Sequence, residues 1–126
     1  MQFVYDSHAG IAGVTRPQDT YAWCSEVVIS SSWNRDVAET MGKLIGEDCL
    51  AQGDLNFAGW YAPAMNIHRT AFSGRNFEYY SEDGYLSGQF GLATVAGARS
   101  KGYHLCQALR PQRPGDEPLR HEHLRQ

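Results

Sequence analysis

The sequence has few of the features that define several common protein classes. Its 126 residues include only three cysteines, Cys24, Cys49 and Cys106, which form neither a Cys-x-x-Cys pair nor a metal-ligand spacing. An odd number is also a poor disulfide framework, so we expect reduced thiols. No apolar run reaches the roughly 18 residues of a membrane-spanning helix, and we expect no membrane partner.

Positive charge is also scarce. Lys and Arg number 11 against 14 Asp and Glu, a net charge of −3, and no basic stripe is interleaved with aromatic residues. Nucleic-acid binding is therefore disfavoured. The start, MQFVYDSHAG, lacks the basic region and apolar core of a signal peptide. Together with the unpaired cysteines, this favours a cytoplasmic location.

The first half of the sequence contains one strand-like and one helix-like segment. Residues 1–25 have scattered Gly and Pro and no sustained period, so we expect them to be irregular. Glu26–Ser32 contains a β-branched run that predicts a buried strand. Residues 35–52 predict a helix capped by Asn34, with an apolar stripe formed by Val37, Met41, Leu44 and Ile45.

A second strand and helix follow. Phe57–Met65 predicts a strand with Pro63 near its end, and residues 66–83 predict a polar loop. Gly84–Ser100 predicts a helix capped by Asp83, whose small residues let it lie close against a sheet. Its buried face should include Leu86, Phe90, Ala93 and Gly97. The strand–helix–strand order favours a parallel sheet, and hence an α/β fold.

The loop at residues 66–83 is the candidate site. In α/β folds, ligands bind at the loops that follow the carboxyl ends of strands. This loop is rich in charged side chains that suit a polar ligand such as a sugar: Arg69, Arg75, Glu78, Glu82 and Asp83.

The same loop, NIHRTAFSGRNFEYYSED, carries N-x-x-R, then G-R-N-x-E, then S-E-D. It resembles glycoside hydrolase family 3, the β-glucosidase group, and a weaker resemblance runs from Asp6 to Gly102. Because a complete (β/α)8 barrel takes roughly 250 residues, the resemblance implies a partial barrel for residues 1–102, with about two βα units and an incomplete parallel sheet. It also implies retaining hydrolysis of β-linked glucosides from the non-reducing end, without a cofactor or metal.

Two residues are implied to bind substrate. Arg75 matches the family's arginine that donates to sugar hydroxyls in the cleaved subsite, a task suited to a planar fork of donors. Asp6 can be placed on the aspartate of the family's Asp-Gly-Pro-x-Gly segment, although Ser7 and His8 replace its Gly and Pro. A solvated loop acid is the alternative for Asp6, and a surface ion pair is the alternative for Arg75.

The other polar residues of the loop are implied to be structural. We expect Glu78 to orient an arginine and Arg69 to bridge loop carbonyls. Glu82 and Asp83 are interpreted as a helix-capping pair, and His68 as a hydrogen-bonded loop histidine. The family's aspartate nucleophile and its acid/base lie in regions that this chain does not contain, so no residue is assigned as catalytic and the chain alone is predicted to be inactive.

Two alternatives stay open. Trp60 and Tyr61 could stack on sugar, although core packing is favoured, and Tyr79 and Tyr80 are equally ambiguous. A different functional class is a non-enzymatic sugar-binding or self-associating small module, which would complete its sheet through exposed edges.

Residues 103–126 change in character: they hold three of the five prolines and show no period. We expect a disordered, out-of-frame tail. Permitted codons for Tyr103 to Pro118 can be chosen so that, one base later, they spell IIYVKHFALNDQETN. That string resembles the strand and Lys-His pair that family 3 carries at this point. The polar tail should therefore leave the sheet without its next strand.

Overall fold

A computed structural model describes residues 3–6, 10–11, 20–51, 57–101 and 104–105. The chain forms, in order, β1 (Phe3–Asp6), α1 (Glu26–Ser31), α2 (Arg35–Ala51), β2 (Phe57–Tyr61), a 3₁₀ turn (Asn76–Glu78), α3 (Gly84–Arg99) and β3 (His104–Leu105). Strands and helices alternate along the chain, so the fold is α/β, as predicted.

The three strands form one parallel sheet in the order β1-β2-β3. Asp6, the last residue of β1, pairs with Tyr61, the last residue of β2. Gly59 pairs with His104 at the start of β3. The carboxyl ends of β1 and β2 therefore lie side by side, and the segments that leave them start from the same edge of the sheet.

Two strands lie where none was expected. Residues 3–6 belong to β1, so the prediction of an irregular segment is wrong there. His104 and Leu105 form β3, so the expectation that the sheet lacks its next strand is also wrong. Both pairings use backbone N–H and C=O groups, which a polar side chain does not remove. Residues 106–126 of the expected tail lie outside the described residues.

Glu26–Ser31 is a helix, so the strand prediction for this segment is wrong. Seven residues are too few for periodicity to separate a strand from a helix. Here Glu26, Ile29 and Ser30, at helical spacing, are the buried residues. The Ser31 hydroxyl donates to the carbonyl of Val27 at 2.7 Å, one turn earlier in the same helix.

The α2 helix forms as predicted and ends within a residue of the expected position. Asn34 caps it, since its Oδ1 accepts the N–H of Asp36 at 2.9 Å. The buried stripe is rotated from the predicted one: Val37 and Leu44 are 39% and 37% exposed. The apolar residues that α2 buries are Ala38, Met41, Ile45 and Cys49.

The α3 helix also forms as predicted, with the Asp83 carboxylate accepting the N–H of Tyr85 at 2.9 Å. Phe90 and Gly97 are buried on the predicted face, and Leu86 and Ala93 are partly buried against the core. This face packs mainly on α2, rather than on the sheet as expected. The core therefore lies largely between the two long helices.

Strand β2 ends at Tyr61, four residues before the predicted end. Trp60 is buried in the core, and its indole N–H donates to the carbonyl of Gly10 at 3.1 Å. This supports core packing over sugar stacking for Trp60. Pro63 is also fully buried. Because β2 is short, the loop that carries the charged residues spans 62–83.

Candidate functional site

The loop at residues 62–83 begins at the carboxyl end of β2 and runs to the first residue of α3. Since Asp6 pairs with Tyr61, the carboxyl end of β1 lies beside the start of this loop. The register therefore brings the backbone of Asp6 to the edge from which the Arg75 loop departs. Polar ligands of parallel sheets bind at such edges.

Arg75 and Glu78 form an ion pair on this loop. Arg75 donates from Nε to Oε2 of Glu78 at 2.8 Å, and its Nη2 donates to the same oxygen. The Arg75 side chain is 36% exposed and the Glu78 side chain 16% exposed. Glu78 thus holds the guanidinium in one orientation, while more than a third of the arginine side chain stays open to solvent.

His68 ties together the two ends of the loop. Its backbone N–H donates to the carbonyl of Ser81 at 3.1 Å. Its ring Nε2 lies 2.7 Å from the carbonyl of Asn76 and 3.0 Å from that of Tyr79. Because both partners are acceptors, Nε2 carries the proton and donates. His68 therefore acts as a hydrogen-bonded loop residue that fixes the turn carrying Arg75.

The buried carboxyl group of Glu26 forms a hydrogen bond with the loop. Glu26, at the first position of α1, is fully buried, and its Oε1 accepts the N–H of Ala64 at 3.2 Å. Burial raises the pKa of this carboxyl to about 9, and the nearby Glu78 carboxylate raises it further, against the Ala64 hydrogen bond, which lowers it. Glu26 is therefore protonated at neutral pH. Its Oε2 has no hydrogen-bond partner among the described residues.

Tyr80 joins the end of the loop to two helices. Its hydroxyl lies 2.8 Å from the Thr94 hydroxyl on α3, and its carbonyl accepts the hydroxyl of Ser30 on α1. Burial raises the pKa of the Tyr80 hydroxyl. Tyr79 is buried as well, and burial also raises the pKa of its hydroxyl. The two tyrosines are thus packed inside rather than offered to a ligand.

Three of the remaining predicted site residues lie on the surface. Arg69 and Glu82 are exposed on the loop, and Asp83 is the acceptor that caps α3. Asp6 is placed by its backbone in β1, and Ser7 and His8 lie outside the described residues. The structure thus brings Arg75 and Glu78 into contact and places the backbone of Asp6 beside the residue from which their loop starts.

Sequence reasoning missed Glu26 and the Ser30–Tyr80 contact. A glutamate at the start of a helix usually faces water, and nothing in the local sequence marks this one as buried. The one available signal was its place three and four residues before Ile29 and Ser30, which share its face.

Two further properties concern the described residues only. They bring together no group of three or more His, Cys, Asp or Glu side chains that could hold a metal ion. None of their helices is long and apolar enough to cross a bilayer.

In an α/β fold, a charged loop that follows the carboxyl end of a parallel strand is a typical place for a polar ligand. Comparison with known proteins specifies the family. The model of the glycosyl hydrolase family 3 N-terminal domain matches residues 1–110, and the chain belongs to this family.

Similar proteins include β-glucosidases from several bacteria. Thermostable β-glucosidase B of Acetivibrio thermocellus is 35% identical over 98 residues, which are 78% of this chain and 13% of that protein. β-Glucosidase A of Butyrivibrio fibrisolvens is 41% identical over 81 residues, 64% of this chain and 9% of that protein. The chain thus spans about a tenth of the length of these relatives.

The fold is also found in solved structures. β-Glucosidase 3B from Thermotoga neapolitana, solved in complex with α-D-glucose, superposes with a TM-score of 0.75 at 39% sequence identity. The match covers 84% of this chain and 15% of that one. The arrangement of β1 to β3 and the helices between them is therefore shared with a β-glucosidase of known structure.

Proposed function

We propose that this chain is a segment of the (β/α)8 barrel of a β-glucosidase-type glycoside hydrolase, contributing about two βα units to that barrel. The family match, the alternation of parallel strands with helices, and the likeness to a β-glucosidase structure support this. The described residues form three strands, fewer than the eight that close such a barrel. Residues outside this sequence would supply the remainder.

Within that enzyme, the Arg75 loop binds the sugar in the cleaved subsite, and Asp6 contributes to the same subsite. The single observation that carries this role is the Arg75–Glu78 pair on the loop that leaves the carboxyl end of β2. A guanidinium that a carboxylate orients, and whose side chain is more than a third exposed, can donate to sugar hydroxyls in a defined direction. The substrates are β-linked glucosides or related carbohydrates, attacked from the non-reducing end.

The reaction of a retaining glycosidase requires a carboxylate nucleophile and an acid/base about 5–5.5 Å apart. The acids of the loop are engaged otherwise. Glu78 is bonded to Arg75, and Asp83 caps α3. Glu82 is exposed beside that cap. These contacts support the proposal that the reactive carboxylates lie outside this sequence and that the polypeptide of this sequence alone is inactive.

Transfer into a complete enzyme tests this proposal. The matching segment of the Thermotoga neapolitana β-glucosidase is replaced by residues 1–101 of this chain, and hydrolysis of an aryl β-glucoside is measured. We expect sustained turnover by the chimera and negligible turnover by the isolated chain. A folded chimera without activity, or protein-dependent release of the phenol by the purified chain, would refute the proposal.

We further propose that residues 103–126 are read out of frame. The family model stops at residue 110, inside this segment, and permitted codons for Tyr103 to Pro118 include a set that spells the family-like string in the neighbouring frame. Sequencing the gene decides the matter. If the codons do not spell IIYVKHFALNDQETN one base later, the frame proposal is wrong.

A self-associating module is the second candidate function. Within the described sheet, β1 and β3 each pair on one side only, and such edges are templates for pairing with another chain. Sedimentation of the purified chain separates the candidates. A discrete soluble oligomer with a sugar-dependent gain in thermal stability, lost in Arg75→Ala, would favour the module.

A further inference from the structure

A concave feature lies at the end of the Arg75 loop. It is a groove of about 270 Å³ between α1, the end of the loop and the first turn of α3. Neither Arg75 nor Glu78 lines it. Its lining residues are Val27, Ser30, Ser31, Trp33, His68, Tyr80, Ser81, Glu82 and Leu86. This volume lies just below the roughly 300–1,000 Å³ of drug-sized pockets, which suits a single small ring.

Trp33 stands at the rim of this groove in an unusual conformation. It lies between α1 and α2, with a φ of 56° in the left-handed region that L side chains rarely adopt. Its large aromatic side chain is nevertheless 78% exposed. The N–H of Trp33 donates to the carbonyl of Ser30 at 3.1 Å, so this conformation ends α1, and it holds the aromatic ring in water beside the groove.

The polar atoms of the groove suit a neutral ligand that carries hydroxyls. Glu82 is the one carboxylate among the nine lining residues, and no Lys or Arg accompanies it, which disfavours an anion. Its oxygens can accept from hydroxyl groups. The Ser81 hydroxyl accepts the N–H of Asp83 at 3.0 Å, so its own proton can be donated. The ring Nε2 of His68 is already bonded to carbonyls.

We propose that this groove is a carbohydrate subsite distinct from the Arg75–Glu78 pair. The indole of Trp33 packs on one face of a pyranose ring, while Glu82 and Ser81 bind its hydroxyls. The existence of the site rests on the groove and on Trp33, and the choice of a sugar rests also on the carbohydrate function proposed above. In the full enzyme the groove would hold a sugar away from the bond that is cleaved.

Nuclear magnetic resonance of the full chain can test this proposal, because the three tryptophans report on different places. The indoles of Trp23 and Trp60 donate to Asp48 at 3.4 Å and to Gly10 at 3.1 Å, and serve as internal controls. Titration with methyl β-glucoside should shift the Trp33 indole resonance saturably, with millimolar affinity. Trp33→Ala lacks this reporter, so its binding is followed at the backbone amide of Ser81, whose shift should vanish. In Glu82→Gln the affinity should fall about tenfold.

Matched variants separate this inference from the proposed function. Tyr85→Ala removes another exposed aromatic residue, one that does not line the groove, and should leave the affinity unchanged. Arg75→Ala should also leave the Trp33 shift in place. Circular dichroism of each variant confirms that the fold is retained.

Three results would overturn the inference. In the first, only the Arg75 Nε–H resonance moves, which places sugar on the loop alone and leaves the proposed function standing. In the second, choline moves the Trp33 resonance and the glucoside does not, which makes the groove a cation site. In the third, neither probe moves any resonance, and the proposed function is then still decided by the chimera.

Discussion

The contact between α2 and α3 differs in chemistry from the contact between α1 and the Arg75 loop. Between α2 and α3 the contact is made by small and apolar residues, and the helix backbones touch. Between α1 and the Arg75 loop the contact is made by buried polar groups, namely Glu26, Ser30 and Tyr80. The first face depends on shape, whereas the second depends on satisfied hydrogen bonds and on protonation.

Glycines make the helix–helix face possible. A Cβ added to Gly42 would overlap the carbonyl oxygen of Thr94, and one added to Gly97 would overlap that of Glu39. The two clashes are reciprocal, so each helix leaves room for the backbone of the other. The polar face has no such constraint, and its Glu26 carboxyl instead avoids charge by keeping its proton.

The largest expected effect is the pH dependence of the unfolding free energy that Glu26 gives the polar face between α1 and the loop. The pKa of Glu26 is about 9 when folded against 4.5 in its ordinary state. Its contribution is therefore complete below pH 4.5 and is lost as the pH rises towards 9, at about 1.4 kcal/mol per pH unit. In urea unfolding, Glu26→Gln should match the wild type near pH 5 and exceed its stability by about 3 kcal/mol near pH 7.

The control for this comparison is Glu39→Gln. Glu39 is exposed and pairs with Lys43 at 2.6 Å on the surface of α2. Its stability profile should run parallel to that of the wild type from pH 5 to pH 8. If Glu26→Gln also runs parallel, the Glu26 carboxyl is ionised when folded and the account of the polar face is wrong.

The helix–helix face should be sensitive to volume and indifferent to pH. Gly97→Ala forces a methyl group against the Glu39 carbonyl and should cost about 2 kcal/mol or more, even after the gain in helix propensity. Gly88→Ala on the same helix meets nothing within 4 Å and should stabilise by roughly 0.5–1 kcal/mol. Urea unfolding at one pH measures both. Equal effects of the two substitutions would mean that the helices are not in close contact.

The tyrosine of the polar face offers a smaller test. Tyr80→Phe removes the hydroxyl that lies 2.8 Å from Thr94 and leaves Thr94 buried without this partner. We expect a loss of about 1–2 kcal/mol in unfolding free energy. Tyr85→Phe, at an exposed position on α3, should change stability by less than about 0.5 kcal/mol. A neutral Tyr80→Phe would indicate that the contact contributes nothing.

The smallest effect is expected at the N-terminal cap of α3. Asp83→Ala removes the acceptor for the Tyr85 N–H and should cost about 1 kcal/mol. Glu82→Ala, one residue earlier, should leave thermal stability nearly unchanged. Calorimetric melting temperatures of the two variants measure the difference. A larger loss for Glu82→Ala would mean that Glu82, and not Asp83, caps α3.

The comparison also explains how much the sequence could predict. Both long helices were predicted with their caps, because Asn34 and Asp83 precede apolar residues at helical spacing. The short α1 was mistaken for a strand, since its β-branched run is too brief to show a period. Tertiary contacts to Tyr80 and Ala64 hold it as a helix, and no local pattern encodes them.

The candidate site was predictable to the same extent. The motif identified Arg75 and Glu78, and the ion pair between them is a local contact across three residues. The burial of Glu26 and the groove beside Trp33 were not predictable, because both depend on residues that lie far apart in the sequence. The strands at residues 3–6 and 104–105 were likewise not predictable, because each forms by pairing with β2, which lies far away in the sequence.

The most direct measurement of the central claim is the kinetics of Arg75→Ala in an active chimera, with Arg69→Ala beside it. If Arg75 binds sugar hydroxyls through charge-assisted hydrogen bonds, kcat/KM for an aryl β-glucoside should fall by about 100-fold or more. Arg69→Ala should change it by less than about tenfold. An Arg75→Ala chimera that is folded and fully active would contradict the assignment of this loop as the substrate site.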